Sequence, residues 1–120
     1  MPISFKHEIV GKTLKVYTSG KDDSLEDAIN YTLAIIDIAK KQECTKIYCD
    51  ERQLEYAISI IDTYQLAKKA AEEVKGLRKI AIVCDEKFLD DGKFYETVAR
   101  NRGLIVFVTT DNEEALEWLG

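Results

Sequence analysis

Alternation opens the chain. Ile3, Phe5, His7 and Ile9 are spaced by Ser4, Lys6 and Glu8, a period of two that predicts a strand with one covered face. Gly11-Lys12 permits a tight turn, and Leu14, Val16 and Thr18 then alternate with Lys15 and Tyr17, so the two runs read as a β-hairpin. The period then lengthens. Ser24-x-x-Asp27 resembles a capping box, and Leu25, Ala28, Ile29, Ile36 and Ala39 share one face of a helix running to about Gln42, widened by Leu33, Ile35 and Ile38. Lys46–Cys49 reads as a buried strand, followed by an acidic loop at Asp50-Glu51-Arg52 and an apolar approach through Leu54, Tyr56, Ala57 and Ile58. Ser59 with Asp62 caps a second helix whose inner stripe is Tyr64, Ala67, Ala70, Ala71 and Val74, ending near Gly76.

Lys79–Cys84 is apolar after its first residue, the mark of a strand covered on both faces. Asp90 or Asp91 is the expected cap of a third helix carrying Phe94, Tyr95, Val98 and Ala99 and stopping at Gly103. Leu104–Val108 is a further apolar strand, and Asp111-x-x-Glu114 caps a short last helix with Ala115, Leu116, Trp118 and Leu119. The order is ββαβαβαβα. Helical crossovers between the later strands make strands two to five parallel and the connections right-handed. The fold class is α/β: a mixed five-stranded sheet with four helices in a single domain spanning residues 1–120.

Composition narrows the function. The 120 residues are 46% hydrophobic and 32% charged, with a net charge of −5, which supports a packed core rather than disorder. No run of Lys or Arg exceeds two residues, which argues against nucleic acid and anionic membranes. The opening Met-Pro-Ile-Ser-Phe lacks a basic-then-apolar leader pattern, and no apolar stretch is long enough to span a bilayer. Three scattered cysteines, Cys44, Cys49 and Cys84, fit a reducing compartment, so the expected location is cytoplasmic.

Parallel strands should bring Asp50, Glu51, Asp85, Glu86 and Thr109–Asp111 towards one carboxyl edge of the sheet. Carboxylates gathered there could hold Mg²⁺ for an enzyme or a receiver-like domain. Against a receiver stand the opening hairpin, the lack of paired Asp after the first strand and the lack of Lys after the last. Helix capping and solvation explain the same carboxylates without a metal. His7 is the only histidine, and Cys49 and Cys84 lie in strands with no nominated base, so no catalytic residue and no cofactor is expected. Phosphate-cradling glycine patterns are absent, and Asn30-Tyr31-Thr32 falls inside a helix, where glycosylation is not expected. Leu54–Ile61 is the distinctive stretch. It is apolar across an expected loop and helix entrance, as a packing element, a pocket wall or a partner surface would be.

Three stretches together resemble the SpoIIAA-like fold of STAS domains and their small STAS/CRAL-TRIO-like relatives. They are Ile47-Tyr-Cys-Asp50, Lys79-Ile-Ala-Ile-Val-Cys-Asp85 and the tail from Val106 through Asp111, Glu113-Glu114-Ala115-Leu116 and Trp118-Leu119. With the strand order, the likeness covers nearly the whole chain. STAS proteins that antagonise anti-sigma factors carry a phosphorylated serine at the start of the second helix, and Ser59 matches it by position. The paired serine and glycine of that motif are missing here. The expectation is a non-enzymatic binding or regulatory module that recognises a protein partner or a small apolar ligand through Leu54, Tyr56, Ile58, Ser59, Ile61 and Asp62. A homodimer is one form it could take. A Mg²⁺ enzyme at the carboxyl edge and a Ser59 phosphoswitch are the alternatives.

Overall fold

Strand β1 (Ser4–Val10) and strand β2 (Thr13–Asp22) pair antiparallel, with Val10 opposite Thr13. The turn between them needs Gly11, whose φ of 61° lies in the left-handed region that side chains disfavour. This computed structural model describes residues 2–120. Helix α1 (Leu25–Lys41) leads to β3 (Lys46–Tyr56), helix α2 (Ile60–Glu73) to β4 (Lys79–Cys84), and helix α3 (Leu89–Asn101) to β5 (Val106–Thr109), with α4 (Asn112–Leu119) at the end. The sheet order is β1-β2-β3-β4-β5, and every pair after the hairpin is parallel, as the crossovers require.

Strand alternation divides the core in two. Leu14, Val16, Ile47, Cys49, Ile80, Ile82, Val106 and Val108 face α1, α2 and α3, which contribute Ile35, Ala39, Ala67, Ala70, Val98 and Ala99. The opposite phase, Tyr48, Ala81 and Val83, meets Ala115 and Leu119 of α4. Three helices therefore cover one face and one short helix covers part of the other. Gly92 lets α3 lie close on the sheet, because a Cβ there would stand 2.6 Å from the Val108 Cγ1.

The expected caps form at three helices. Ser24 Oγ accepts from the Asp27 amide, Ser59 Oγ from the Asp62 amide, and Asp111 Oδ1 from the Glu113 and Glu114 amides. Two expectations are corrected. Neither Asp90 nor Asp91 caps α3: Asp85 caps a 3-10 turn at Glu86–Phe88, and α3 follows directly, with both aspartates in its first turn. The second concerns β3. Asp50-Glu51-Arg52 is not a loop, for the strand continues to Tyr56. Its alternation was hidden by a register shift against β2, where Tyr17 pairs with Asp50 but Ser19 pairs with Gln53. That is a β-bulge, which adds a residue and reverses the phase of everything after it.

Candidate functional site

The bulge assembles the site. Ile47, Cys49 and Glu51 point towards the three helices in the first phase, and Leu54 and Tyr56 in the second. Glu51 therefore enters the interior as the last residue of one phase, with only 7% of it exposed. Its Oε2 accepts from the Tyr31 hydroxyl at 2.8 Å and its Oε1 from the Tyr56 hydroxyl at 2.5 Å. Tyr31 has spent its proton on Glu51, so the Thr18 hydroxyl, 2.8 Å away, donates to it. Tyr31 comes from α1 and is packed edge-on against Phe5, while the Tyr56 ring lies 5.5 Å from that of Phe88. Glu51 is in no ion pair among the described residues.

These groups line a cavity of about 80 Å³ between the helices and the sheet. Its walls include Ile35, Ile47, Leu54, Ile58, Leu66 and Ile82, with Tyr95 and Gly92 from α3. Asp22, at the end of β2, is a second buried carboxyl on this wall, and its Oδ1 accepts from the Ala57 amide at 2.6 Å. That bond ties the end of β2 to the link between β3 and α2. Asp91 is an exposed third carboxyl on the lining.

Burial governs the electrostatics. It raises Asp22 to about 6 against the pull of the Ala57 amide, with the charge of Asp91 adding to the rise. Burial also raises Glu51, opposed by the two tyrosine hydroxyls that favour the ionised form. Tyr31, Tyr56 and Tyr95 are all pushed up, first by burial and then by the negative charge of Glu51, so each stays a protonated donor at neutral pH. The site can therefore accept hydrogen bonds at its carboxyls and offer tyrosine rings, but it holds no tyrosinate base. Burial likewise keeps Cys49 a thiol and lifts Cys84 to about 11, neither of which suits a nucleophile.

The residues singled out in the sequence divide here. Leu54, Tyr56 and Ile58 line the cavity. Ser59, Ile61 and Asp62 lie outside its lining, in the cap and first turn of α2; Ser59 and Ile61 are exposed, and Ile61 is 70% so. The carboxyl-edge residues are not drawn together. Asp50 is held by Arg52 at 2.7 Å, Asp85 caps its 3-10 turn and Asp111 caps α4, and among the described residues no three His, Cys, Asp or Glu side chains converge as metal ligands would. Asp22 and Tyr31 are not singled out by the sequence, and Tyr95 is expected only as an inner-face residue of the third helix, because each looks ordinary in its own element. Glu51 had a readable signal: it continues the inward phase of Ile47 and Cys49.

No family model and no curated protein matches the chain. Among solved structures it is similar to the crystal structure of an uncharacterised protein from the DUF3478 family with a SpoIIAA-like fold, from Shewanella loihica PV-4. The TM-score is 0.61 at 18% identity, over 99% of this chain and 94% of that one. The chain thus has a SpoIIAA-like fold: the hairpin-led mixed sheet and its four helices are those of that class. Among the described residues no helix is long and apolar enough to cross a membrane.

Proposed function

We propose that this protein is a non-enzymatic, cytoplasmic binding module of regulatory type, which takes a small and largely apolar ligand beside the start of α2. One observation carries the reading: Leu54, Tyr56 and Ile58 form a wall of a cavity lined mostly by aliphatic side chains. Apolar concavities with a few convergent polar groups are the usual form of small-molecule sites. The volume of about 80 Å³ compares with ~150 Å³ for an engineered apolar cavity that admits benzene. It suits a ligand of a few non-hydrogen atoms, or the end of a longer one. Native mass spectrometry of protein purified without detergent should show a retained small mass. Leu66→Trp, which fills the cavity from α2, should release it. A bare chain that no small apolar solute stabilises against heat, with Leu66→Trp behaving like the wild type, would remove the ligand reading.

A second reading rests on the first turn of α2. Ile60 and Ile61 are 58% and 70% exposed there, next to Ser59 and Asp62. Two bare isoleucines beside a helix N-terminus suit a protein partner or a second copy of the chain. Phosphate on Ser59 would add charge where a helix dipole favours it, at the expense of the cap that Ser59 now provides. A pull-down in which Ile61→Glu, Asp62→Lys captures the same partners as wild type would exclude this surface. Intact mass of protein from its native host reports the phosphate directly.

A further inference from the structure

We propose that the cavity selects a small organic ammonium: an apolar body of a few carbons with one protonated amine directed at Glu51. The inference rests on the reading of the cavity as a ligand site and assigns the ligand its charge. The lining residues include three carboxyl groups, Asp22, Glu51 and Asp91, and among the described residues not one Lys, Arg or His. Glu51 is nearly sealed from solvent, yet among the described residues it has no cationic partner and two hydroxyls are its only side-chain donors. A carboxylate offers about four lone-pair sites, so about half of its accepting capacity is unused. Charges in such surroundings are normally paired, and an ammonium would supply the missing partner.

The aromatic content points the same way. Tyr31, Tyr56 and Tyr95 come from α1, β3 and α3 and line the same cavity. Aromatic rings attract cations through their negative faces, and clusters of such rings are a recurrent way of binding organic ammonium groups. Tyr31 and Tyr56 also hold Glu51 in place, so the carboxyl is oriented before any ligand arrives. An anion would meet three acidic groups and, among the described lining residues, no compensating charge, and a neutral alcohol would bring Glu51 no cation.

The test is an NMR titration of the full chain at neutral pH and constant salt with propylammonium, 1-propanol and propionate, which share their three-carbon body. Propylammonium should bind about tenfold more tightly than 1-propanol, the scale of one charge-assisted hydrogen bond, and propionate more weakly than either. Glu51→Gln should reduce propylammonium to the level of propanol. Should that variant fold poorly, Asp91→Asn on the exposed rim should weaken propylammonium severalfold and leave propanol unchanged. Equal binding of propylammonium and propanol, tighter binding of propionate, or propylammonium binding indifferent to both variants would overturn the ammonium assignment while leaving the cavity reading standing. If none of the three shifts a cavity resonance, the cavity reading falls and this inference with it.

Discussion

Asp50 and Glu51 are adjacent in β3 and live in opposite surroundings. The pleat turns Asp50 to the face that α4 covers only in part, where the Arg52 guanidinium grips it with bonds of 2.9 and 2.7 Å and holds its carboxyl below the usual range. Glu51 is turned the other way, among apolar walls, where the described residues offer it hydroxyls instead of a cation, and its carboxyl is held above the usual range. One residue of strand phase separates a carboxylate paired with a guanidinium from one held by hydroxyls alone. The chemistry of a strand end is thus decided less by how many carboxylates it carries than by which of them alternation points inward.

The sharpest way to break the contrast is to truncate each carboxylate in turn. Glu51→Ala leaves the Tyr56 hydroxyl without its partner and enlarges the cavity, a loss of about 2–4 kcal/mol. Asp50→Ala removes a partly exposed pair and should cost well under half of that. Urea denaturation of the two variants compares them directly. Equal losses would mean that burial does not distinguish the two sites.

Acid should act on the two faces in opposite directions. Asp22 titrates at about 6 in the folded protein, against an unfolded value of about 3.9. A raised carboxyl binds its proton more readily in the folded state, so the penalty of the ionised form is present above pH 6 and is relieved as pH falls towards 4. That relief is up to about 3 kcal/mol, and Glu51, raised by the same burial, adds to it in sign. Asp50 opposes them further down: its depressed carboxyl stabilises above the unfolded value, and that contribution is lost as pH falls below it. Stability followed by denaturation from pH 8 to 3 should therefore rise and then fall. Asp22→Asn, which retains an acceptor for the Ala57 amide, should flatten the rise and be more stable than wild type at pH 8. A monotonic decline with acid in the wild type would contradict the buried-carboxyl picture.

Most of the fold was legible because its signals are local. Alternation in β1 and β2, the aliphatic block of β4 and the caps at Ser24, Ser59 and Asp111 each declare themselves within a few residues. The second half of β3 was not legible, because the bulge breaks the period at the point where the strand passes into the site. Part of the cavity wall was visible as an apolar run, in Leu54, Tyr56 and Ile58, although it belongs to a strand and a link rather than to a loop. Tyr31 and Tyr95 were beyond reach, since a tyrosine on a helix's inner face looks the same whether it fills a core or faces a cavity. Their meeting with Glu51 depends on three elements separated by long stretches of chain.

A finer probe removes one donor instead of the carboxyl. In Tyr56→Phe, Oε1 of Glu51 loses its 2.5 Å partner while the ring and its contact with Phe88 are kept. The cost should be about 1–2 kcal/mol. The hydroxyl favours the ionised form, so the Glu51 carboxyl should titrate still higher, which ¹³C NMR of the glutamate side chains would follow. An unchanged Glu51 titration would mean that Tyr56 packs beside the carboxyl without orienting it.

The smallest effect is expected from Arg52→Ala. Arg52 is exposed, and its partner Asp50 can be reached by water once the guanidinium is gone. An ion pair of this kind contributes about 0.2–1 kcal/mol, a little more where the contact is bidentate, as here. The variant should also return Asp50 towards the ordinary carboxylate range, because Arg52 is the leading cause of its depression. Glu51 should respond far less, for the strand turns the two carboxyls onto different faces and the charge of Asp50 is the least of the causes that raise Glu51. If Arg52→Ala moved the titration of Glu51 as far as that of Asp50, the charge on the far face would weigh as heavily on Glu51 as its own surroundings do. The cavity's lack of a cation would then be made good from the far side of the sheet.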